Sequence, residues 1–391
     1  MVSCQEGKSM KSERLASLDL FKGLIMIIMA LDHVSFFVAK KHYFEFWGVN
    51  LPQYPDAISF ITRFVTHICA PGFFFLMGTG MILLADSRRG QGWPEGKITR
   101  FLLTRGFILV LLQFFLENPA WLIGLLSDKT QSLSFVTIPG GGEEIRFFFG
   151  VLYALGMSMV FWALFFRFKS SVVLALSFAC ILLTQILIPS ADNVEKLYSP
   201  LLRALLIPGQ TGMMRVLYPL MPWLGITGLG IIFGRGLIKN RQNAHHWTLF
   251  AAMASIILFL IVRALESFGN IHPPQGTSLA AFLNLTKYPP SLAFILFFMG
   301  LNCLILYSLK KWETTLEKWA RPLLIFGQTA LFFYIVHLYF FAFIGMAFPQ
   351  GTGYGLLYVT WLVGLAVLYP LCFLYRRFKR KTSPDSIWRF F

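Results

Sequence analysis

The sequence predicts an all-α, polytopic integral membrane protein of about ten transmembrane helices with both termini cytoplasmic, and three observations carry that prediction. Of 391 residues, 56% are hydrophobic and 13% charged, at a mean hydropathy of +0.65, whereas soluble domains carry about 25% charged residues. Apolar stretches of roughly 18 residues or more recur along the whole chain, each long enough at about 1.5 Å per residue to cross a hydrocarbon layer of about 30 Å. Lys and Arg are divided unevenly between the two sides of those stretches, with 24 of the 34 on one side.

The first span, 18–38, follows a polar, charged segment, 1–13. It continues past signal-peptide length without a small-residue cleavage site and is therefore kept as structure. The second, 60–84, leads into a basic loop holding Arg88, Arg89, Lys97 and Arg100. The third, 101–117, is followed by Pro119 to Leu126, and the fourth and fifth, 147–166 and 171–189, flank Arg167 and Lys169. Before the sixth, 217–238, an amphipathic stretch at 197–214 is broken by Pro200, Pro208 and Gly209. It and the segment after the third span are the two places where an interfacial or re-entrant stretch could alter the count. Spans at 247–265, 290–308, 323–347 and 355–375 complete the set, ahead of a basic tail at 377–391. An even number keeps that tail on the positive side, which is cytoplasmic. One transmembrane domain, 14–376, is expected to fill the chain.

The same distribution explains the net charge of +16 without nucleic acid, since the basic residues are dispersed over membrane-flanking loops rather than gathered into one stripe. Cys4, Cys69, Cys180, Cys303 and Cys372 are too far apart for a disulfide framework or a zinc pattern, so no metal is expected. The run Pro139-Gly-Gly-Gly-Glu-Glu144 is acidic and lacks a following lysine, so it reads as a loop and not a phosphate cradle.

Ionisable residues inside spans are costly, about 2.5 to 3.5 kcal/mol for a central Asp or Lys, and therefore mark candidate sites. The first span contains Asp19, Lys22, Asp32 and His33; the second, Arg63 and His67; the ninth, His337; and Lys287 stands at the mouth of the eighth. His33 lies roughly 8 Å from the outer end of its span and His67 about 10 Å from the same side. Two antiparallel spans would thus bring both imidazoles to one outward-facing chamber, with His337 nearer mid-depth. A neutral imidazole accepts protons near physiological pH, which makes His33 the first candidate for a general base. Asp32 projects about 100° away from it on a helix and is expected to serve a cation on another helix, Arg63 or Lys287. Asp19 and Lys22 read as an i,i+3 pair near the helix start.

The string Arg14-Leu-Ala-Ser-Leu-Asp-Leu-Phe-Lys-Gly23, followed by Met29-Ala-Leu-Asp-His33, resembles the opening of the heparan-alpha-glucosaminide N-acetyltransferase-like family. Further resembling motifs are Arg63-Phe-Val-Thr-His-Ile-Cys-Ala-Pro-Gly-Phe-Phe-Phe-Leu-Met-Gly78 and Tyr218-Pro-Leu-Met-Pro-Trp-Leu-Gly225. Lys287-Tyr-Pro-Pro-Ser-Leu292 and Phe326-Gly-Gln-Thr-Ala-Leu-Phe-Phe-Tyr-Ile-Val-His337 complete the series. The resemblance covers about residues 14 to 340. It implies a transmembrane acyltransferase that carries an acetyl group from cytoplasmic acetyl-CoA to a sugar amine or hydroxyl on the other side. The roles it implies are catalysis by His33 or His67 with Asp32, and acceptor binding or oxyanion stabilisation by Arg63, Lys287, Tyr288 and His337. Phosphate contacts fall to Lys22, Arg88, Arg89, Arg100 and Arg105. Lys22 stands where members usually show arginine, and a lysine cannot make arginine's planar two-pronged contact.

The expected partners are the lipid bilayer and a glycan acceptor, with a homodimer compatible with such a chain and a bacterial inner membrane its expected location. The competing class is a solute or ion transporter, for which many spans with proline breaks and intramembrane charges would be equally natural.

Overall fold

The computed structural model describes residues 15–130, 147–190 and 198–383, together with residues 386 and 388. The expected loop at Pro139 to Glu144, Leu197 and the whole segment at 1–13 with its neighbour Arg14 lie outside them. The elements in order are α1 (Ala16–Phe37), α2 (Ala57–Thr66), α3 (Cys69–Arg89), α4 (Glu95–Leu112), a π-helical turn (Gln113–Glu117), α5 (Asn118–Leu126), β1 (Phe147–Phe149), α6 (Val151–Phe165) and α7 (Ser170–Leu187). They continue with α8 (Pro200–Leu205), β2 (Gly209–Thr211), β3 (Met214–Val216), α9 (Leu220–Lys239), α10 (Arg241–Ala264), α11 (Leu279–Leu283) and α12 (Leu292–Lys311). The last four helices are α13 (Glu313–Trp319), α14 (Arg321–Gln328), α15 (Ala330–Met346) and α16 (Tyr354–Lys381).

The protein is an all-α polytopic membrane protein. Among the described residues, eight helices or near-continuous helix pairs are long and apolar enough to cross a membrane, and α14 with α15 makes a ninth that is bent by 94°. The fourth expected span, 147–166, corresponds to α6, a shorter apolar helix. The stretch after the third expected span is not re-entrant: α4, the π turn and α5 run on as one span, Glu95–Leu126. The other interfacial candidate becomes α8 and a hairpin of β2 and β3, which β1 extends in parallel to a sheet ordered β1-β3-β2.

Helix ends are fixed by local chemistry. Asp56 and Ser59 form a capping box at α2, and Ser291 caps α12 through the Phe294 amide at 3.1 Å. α1 lacks a side-chain cap of its own. Glu313 of α13 supplies one from afar, accepting the Ser17 amide at 2.7 Å. Close helix crossings rest on glycine: a Cβ on Gly78 of α3 would come within 2.0 Å of Thr227 O on α9, and one on Gly327 of α14 within 1.9 Å of Asp19 O on α1.

Beyond the C-terminal end of α1, the segment 38–56, the α8–β3 region and residues 265–291 form a layer over the helices. Its small core contains Phe46, Trp47, Leu206, Ile207, Leu217 and Tyr288. The amides of Lys287 and Tyr288 both donate to Glu45 O at 3.0 Å, which ties the first connecting segment to the one entering α12.

Candidate active site

α1 is the axis of the site. Its consecutive residues Asp32 and His33 diverge, as helical geometry requires, and find partners on different helices. Asp32 accepts from Arg63 Nη1 at 2.7 Å and from Thr66 Oγ1 at 3.0 Å, both on α2. His33, 7% exposed, turns instead toward α15, where its Nδ1 lies 2.6 Å from His337 Nε2.

The protonation of this histidine pair follows from its environment. His337 is fully buried and its Nδ1 lies 2.8 Å from Phe333 O. A carbonyl only accepts, so His337 carries its proton on Nδ1 and its Nε2 is an acceptor. His33 Nδ1 must then donate to it, leaving His33 Nε2 as the nitrogen with a lone pair. The ring planes are 12° apart with centroids separated by 4.9 Å. With 2.6 Å between the nitrogens, the rings meet edge to edge, nearly coplanar, instead of face to face.

Arg63 is fully engaged. Its Nε and Nη2 grip Glu45 at 2.9 and 2.7 Å while Nη1 holds Asp32, so a two-pronged clamp fastens the connecting segment to α2. Tyr54 donates to the same Glu45 at 3.1 Å. Burial raises the Glu45 carboxyl, but Arg63 and His67 outweigh it and hold the group well below the usual carboxylate range. His67 Nε2 is 3.3 Å from Glu45 Oε2, a contact whose angles do not make a hydrogen bond. The structure therefore pairs His33 with His337, and His67 with Glu45. His42 approaches Asp32 from the connecting segment at 3.9 Å, and burial pushes its imidazole down to about 3.

Two cavities lie in succession along α1. The larger, about 310 Å³, is lined at one end by Lys22, Arg105, Gln328 and Lys379, then by Met26, Met77, Met81 and Met159 among other apolar side chains, and it reaches Val151 and Tyr334. The smaller, about 50 Å³, is lined by Asp32, His33, His42, Glu117, Tyr218 and Tyr288 among others, and again by Val151 and Tyr334. Tyr334 is thus a wall common to both. Among the residues expected from sequence, Lys22 and Arg105 line the larger cavity and Asp32, His33 and Tyr288 the smaller. Arg63, His67, Lys287 and His337 lie behind these walls. Arg88, Arg89 and Arg100 do not line either cavity: Arg88 bonds Gln91 at 2.9 Å and covers Trp93, Arg89 is paired with Glu95 at 2.5 Å, and Arg100 is exposed.

The sequence reading missed Glu45, His42, Glu117, Tyr334 and Lys379. Glu117 carried a signal, an acidic residue four positions after Gln113 in an apolar run, but it fell at the end of an expected span. A π turn instead rotates both residues inward, where they are 1% and 0% exposed.

Comparison with known proteins adds an independent line. The family model for "Heparan-alpha-glucosaminide N-acetyltransferase, catalytic" matches residues 14–274. A similar curated protein is heparan-alpha-glucosaminide N-acetyltransferase of Mus musculus, 28% identical over 136 residues. That match covers 34% of this chain and 18% of the length of the mouse protein.

Proposed function

Because the chain belongs to the heparan-alpha-glucosaminide N-acetyltransferase catalytic family, we propose that it transfers an acetyl group from cytoplasmic acetyl-CoA to an amine or hydroxyl of a sugar on the opposite side of the membrane. The observation that carries this reading is the pair of cavities meeting at Tyr334, with His33 lining the second. From Lys22 to His33 is eleven residues, roughly 16 Å of helix. A long, flexible acyl-thiol arm suits such a path.

In this reading Lys22, Arg105 and Lys379 meet the donor's phosphates. The arm follows the methionine-lined throat, whose unbranched side chains adapt to its shape. The thioester stops at Tyr334, and the acceptor's reacting group enters the smaller chamber. His33 Nε2 takes its proton as it attacks the thioester carbon, and the C–S bond breaks. The positive charge that forms on His33 is shared through Nδ1 with His337, which Phe333 O holds in place. An acetyl group carried transiently on His33 would use the same nitrogen. Arg63, engaged by two carboxylates, shapes the chamber by holding Asp32 and the connecting segment.

A transporter needs a polar route through both faces. The apolar throat and the side chain standing between the cavities favour acyl transfer. The test is incubation of the purified protein in liposomes with radiolabelled acetyl-CoA and a panel of amino sugars. Acetylated sugar from the wild type, lost in His33→Ala but retained in His67→Ala, is the expected result. An inactive wild type that neither binds nor consumes acetyl-CoA would overturn it.

A further inference from the structure

The acceptor chamber contains a carboxyl group that the mechanism above leaves unused. Glu117 is 1% exposed. Its Oε1 accepts the Trp121 indole N–H at 3.1 Å, while its Oε2 is buried without a hydrogen-bond partner. No Lys, Arg or His lies within 4.0 Å of it among the described residues. The hydroxyl of Tyr334, on the same chamber wall, is also buried and stands against the Glu117 carboxyl, outside hydrogen-bond geometry and with no other partner. A buried carboxylate without a counter-charge is costly, and a ligand that supplies the counter-charge would complete it. The polar neighbours of Glu117, namely Trp121, Gln113 and Tyr334, are all neutral, so a cation with N–H donors would supply the counter-charge. Trp121 also packs edge-on against His33, with ring centroids 5.2 Å apart, so that cation would sit beside the proposed base.

We propose that Glu117 binds the acceptor as an ammonium ion and takes its first proton, which Tyr334 relays to the departing thiolate. This rests on the acyl-transfer reading and specifies its acceptor as an amine. The ammonium gives one proton to the Glu117 carboxylate, and the freed amine attacks the thioester carbon. The C–S bond breaks with its electron pair on sulfur. The proton held by Glu117 passes through the Tyr334 hydroxyl to that sulfur, giving the CoA thiol. The proton released as the amide forms goes to His33 Nε2 and then to solvent. One ammonium and one thioester yield one amide, one thiol and one proton. Tyr334 suits the relay because, among the described residues, it and Val151 line both cavities.

The titratable groups around the same chamber are Asp32 and His33 of α1, His42 of the connecting segment, Tyr218 before α9, Tyr288 before α12 and Tyr334 of α15. They are common to wild type and Glu117 variants, so the pH profile of kcat/KM for glucosamine isolates Glu117. Initial rates in liposomes should change little for the wild type from about pH 6 up to the pKa of the amine, about 8, and fall above it, because the wild type uses the protonated amine. Glu117→Gln should lose about 10²-fold near neutrality and regain about tenfold per pH unit as free amine accumulates. Glu117→Asp should retain the wild-type profile at reduced rate. Tyr334→Phe should lower kcat with little change in KM. Calorimetric binding of acetyl-CoA monitors the fold of each variant and should be unchanged. A Glu117→Gln profile of wild-type shape, whether at full rate or uniformly lowered, overturns the role of Glu117, and wild-type kcat in Tyr334→Phe overturns the relay. Absence of transfer by the wild type at every pH overturns the acyl-transfer reading itself.

Discussion

His337 Nε2 lies 2.6 Å from His33 Nδ1 while its own Nδ1 lies 2.8 Å from Phe333 O. The second contact decides the first, and together they determine which nitrogen of His33 keeps its lone pair. His337 is then a positioning residue whose loss acts through His33. His337→Phe should lower kcat by about 10²-fold, the lower end of what a general base supplies. His337→Gln, whose amide oxygen can accept from His33 Nδ1, should recover part of it. Equal loss in both variants would indicate a packing role only. Initial rates at saturating donor are the measurement.

Arg63 makes three charge-assisted hydrogen bonds to two carboxylates while 4% exposed. Removing one member of such a buried cluster leaves the others uncompensated, at a cost of about 3–5 kcal/mol. Arg63→Ala should therefore lower the thermal unfolding temperature in detergent strongly. Arg63→Lys should recover little, because a single ammonium cannot grip Glu45 at both oxygens. An unchanged melting temperature in either variant would rule out the clamp.

His42 and Glu45 give the fold an acid limit. Burial keeps His42 unprotonated down to about 3 when folded, against an ordinary value of 6.5. Between those values the unfolded chain binds a proton that the folded chain does not, so stability falls as pH is lowered from 6.5 toward 3. Glu45 is depressed below its ordinary 4.5. Its contribution is present above that value and is lost as pH falls through its lower folded value. His42→Phe should lessen the loss of melting temperature between about pH 6.5 and pH 5.5, above the range in which Glu45 titrates. A variant as acid-sensitive as the wild type there would assign the effect elsewhere.

The spans were legible in the sequence because hydrophobic length decides them, and the divergence of Asp32 and His33 followed from helical pitch alone. What periodicity cannot supply is the partner. His67 has a depth similar to that of His33, yet Glu45, from a segment with no periodic signal, stands against it. The run at 323–347 is apolar throughout and reads as one helix. It bends by 94° after Gln328, next to Gly327, which lies against the backbone of α1 at Asp19, a contact that apolar periodicity does not mark. The π turn likewise has no sequence mark beyond Gln113 and Glu117, whose inward rotation joins α4 to the chamber.

The larger cavity separates basic residues that sequence treats alike. Arg105 and Lys379 line it, whereas Arg88 and Arg89 do not. Arg105→Ala and Lys379→Ala should each raise KM for acetyl-CoA about tenfold or more, as expected for loss of a hydrogen bond to a charged group worth about 1.5–3 kcal/mol. Arg88→Ala should leave KM within about twofold. The reverse ranking would move the donor's phosphates out of this cavity.

Gly150 joins β1 to α6 directly behind Glu117. A Cβ there would come within 2.7 Å of Glu117 Oε1, 2.6 Å of Phe148 Cε1 and 3.1 Å of Gln113 Nε2. Its φ is −95°, which any residue adopts, so the demand for glycine is one of space and not of backbone conformation. Gly150→Ala should leave the fold intact while displacing the Glu117 carboxyl and weakening its bond to Trp121. The expected result is a rise of about tenfold in KM for an amine acceptor, with KM for acetyl-CoA unchanged, because the added methyl group faces the Glu117 side of the chamber and strain of this size acts locally. Equal changes in both constants would mean that the displacement spreads through Val151 and Tyr334 into the donor cavity.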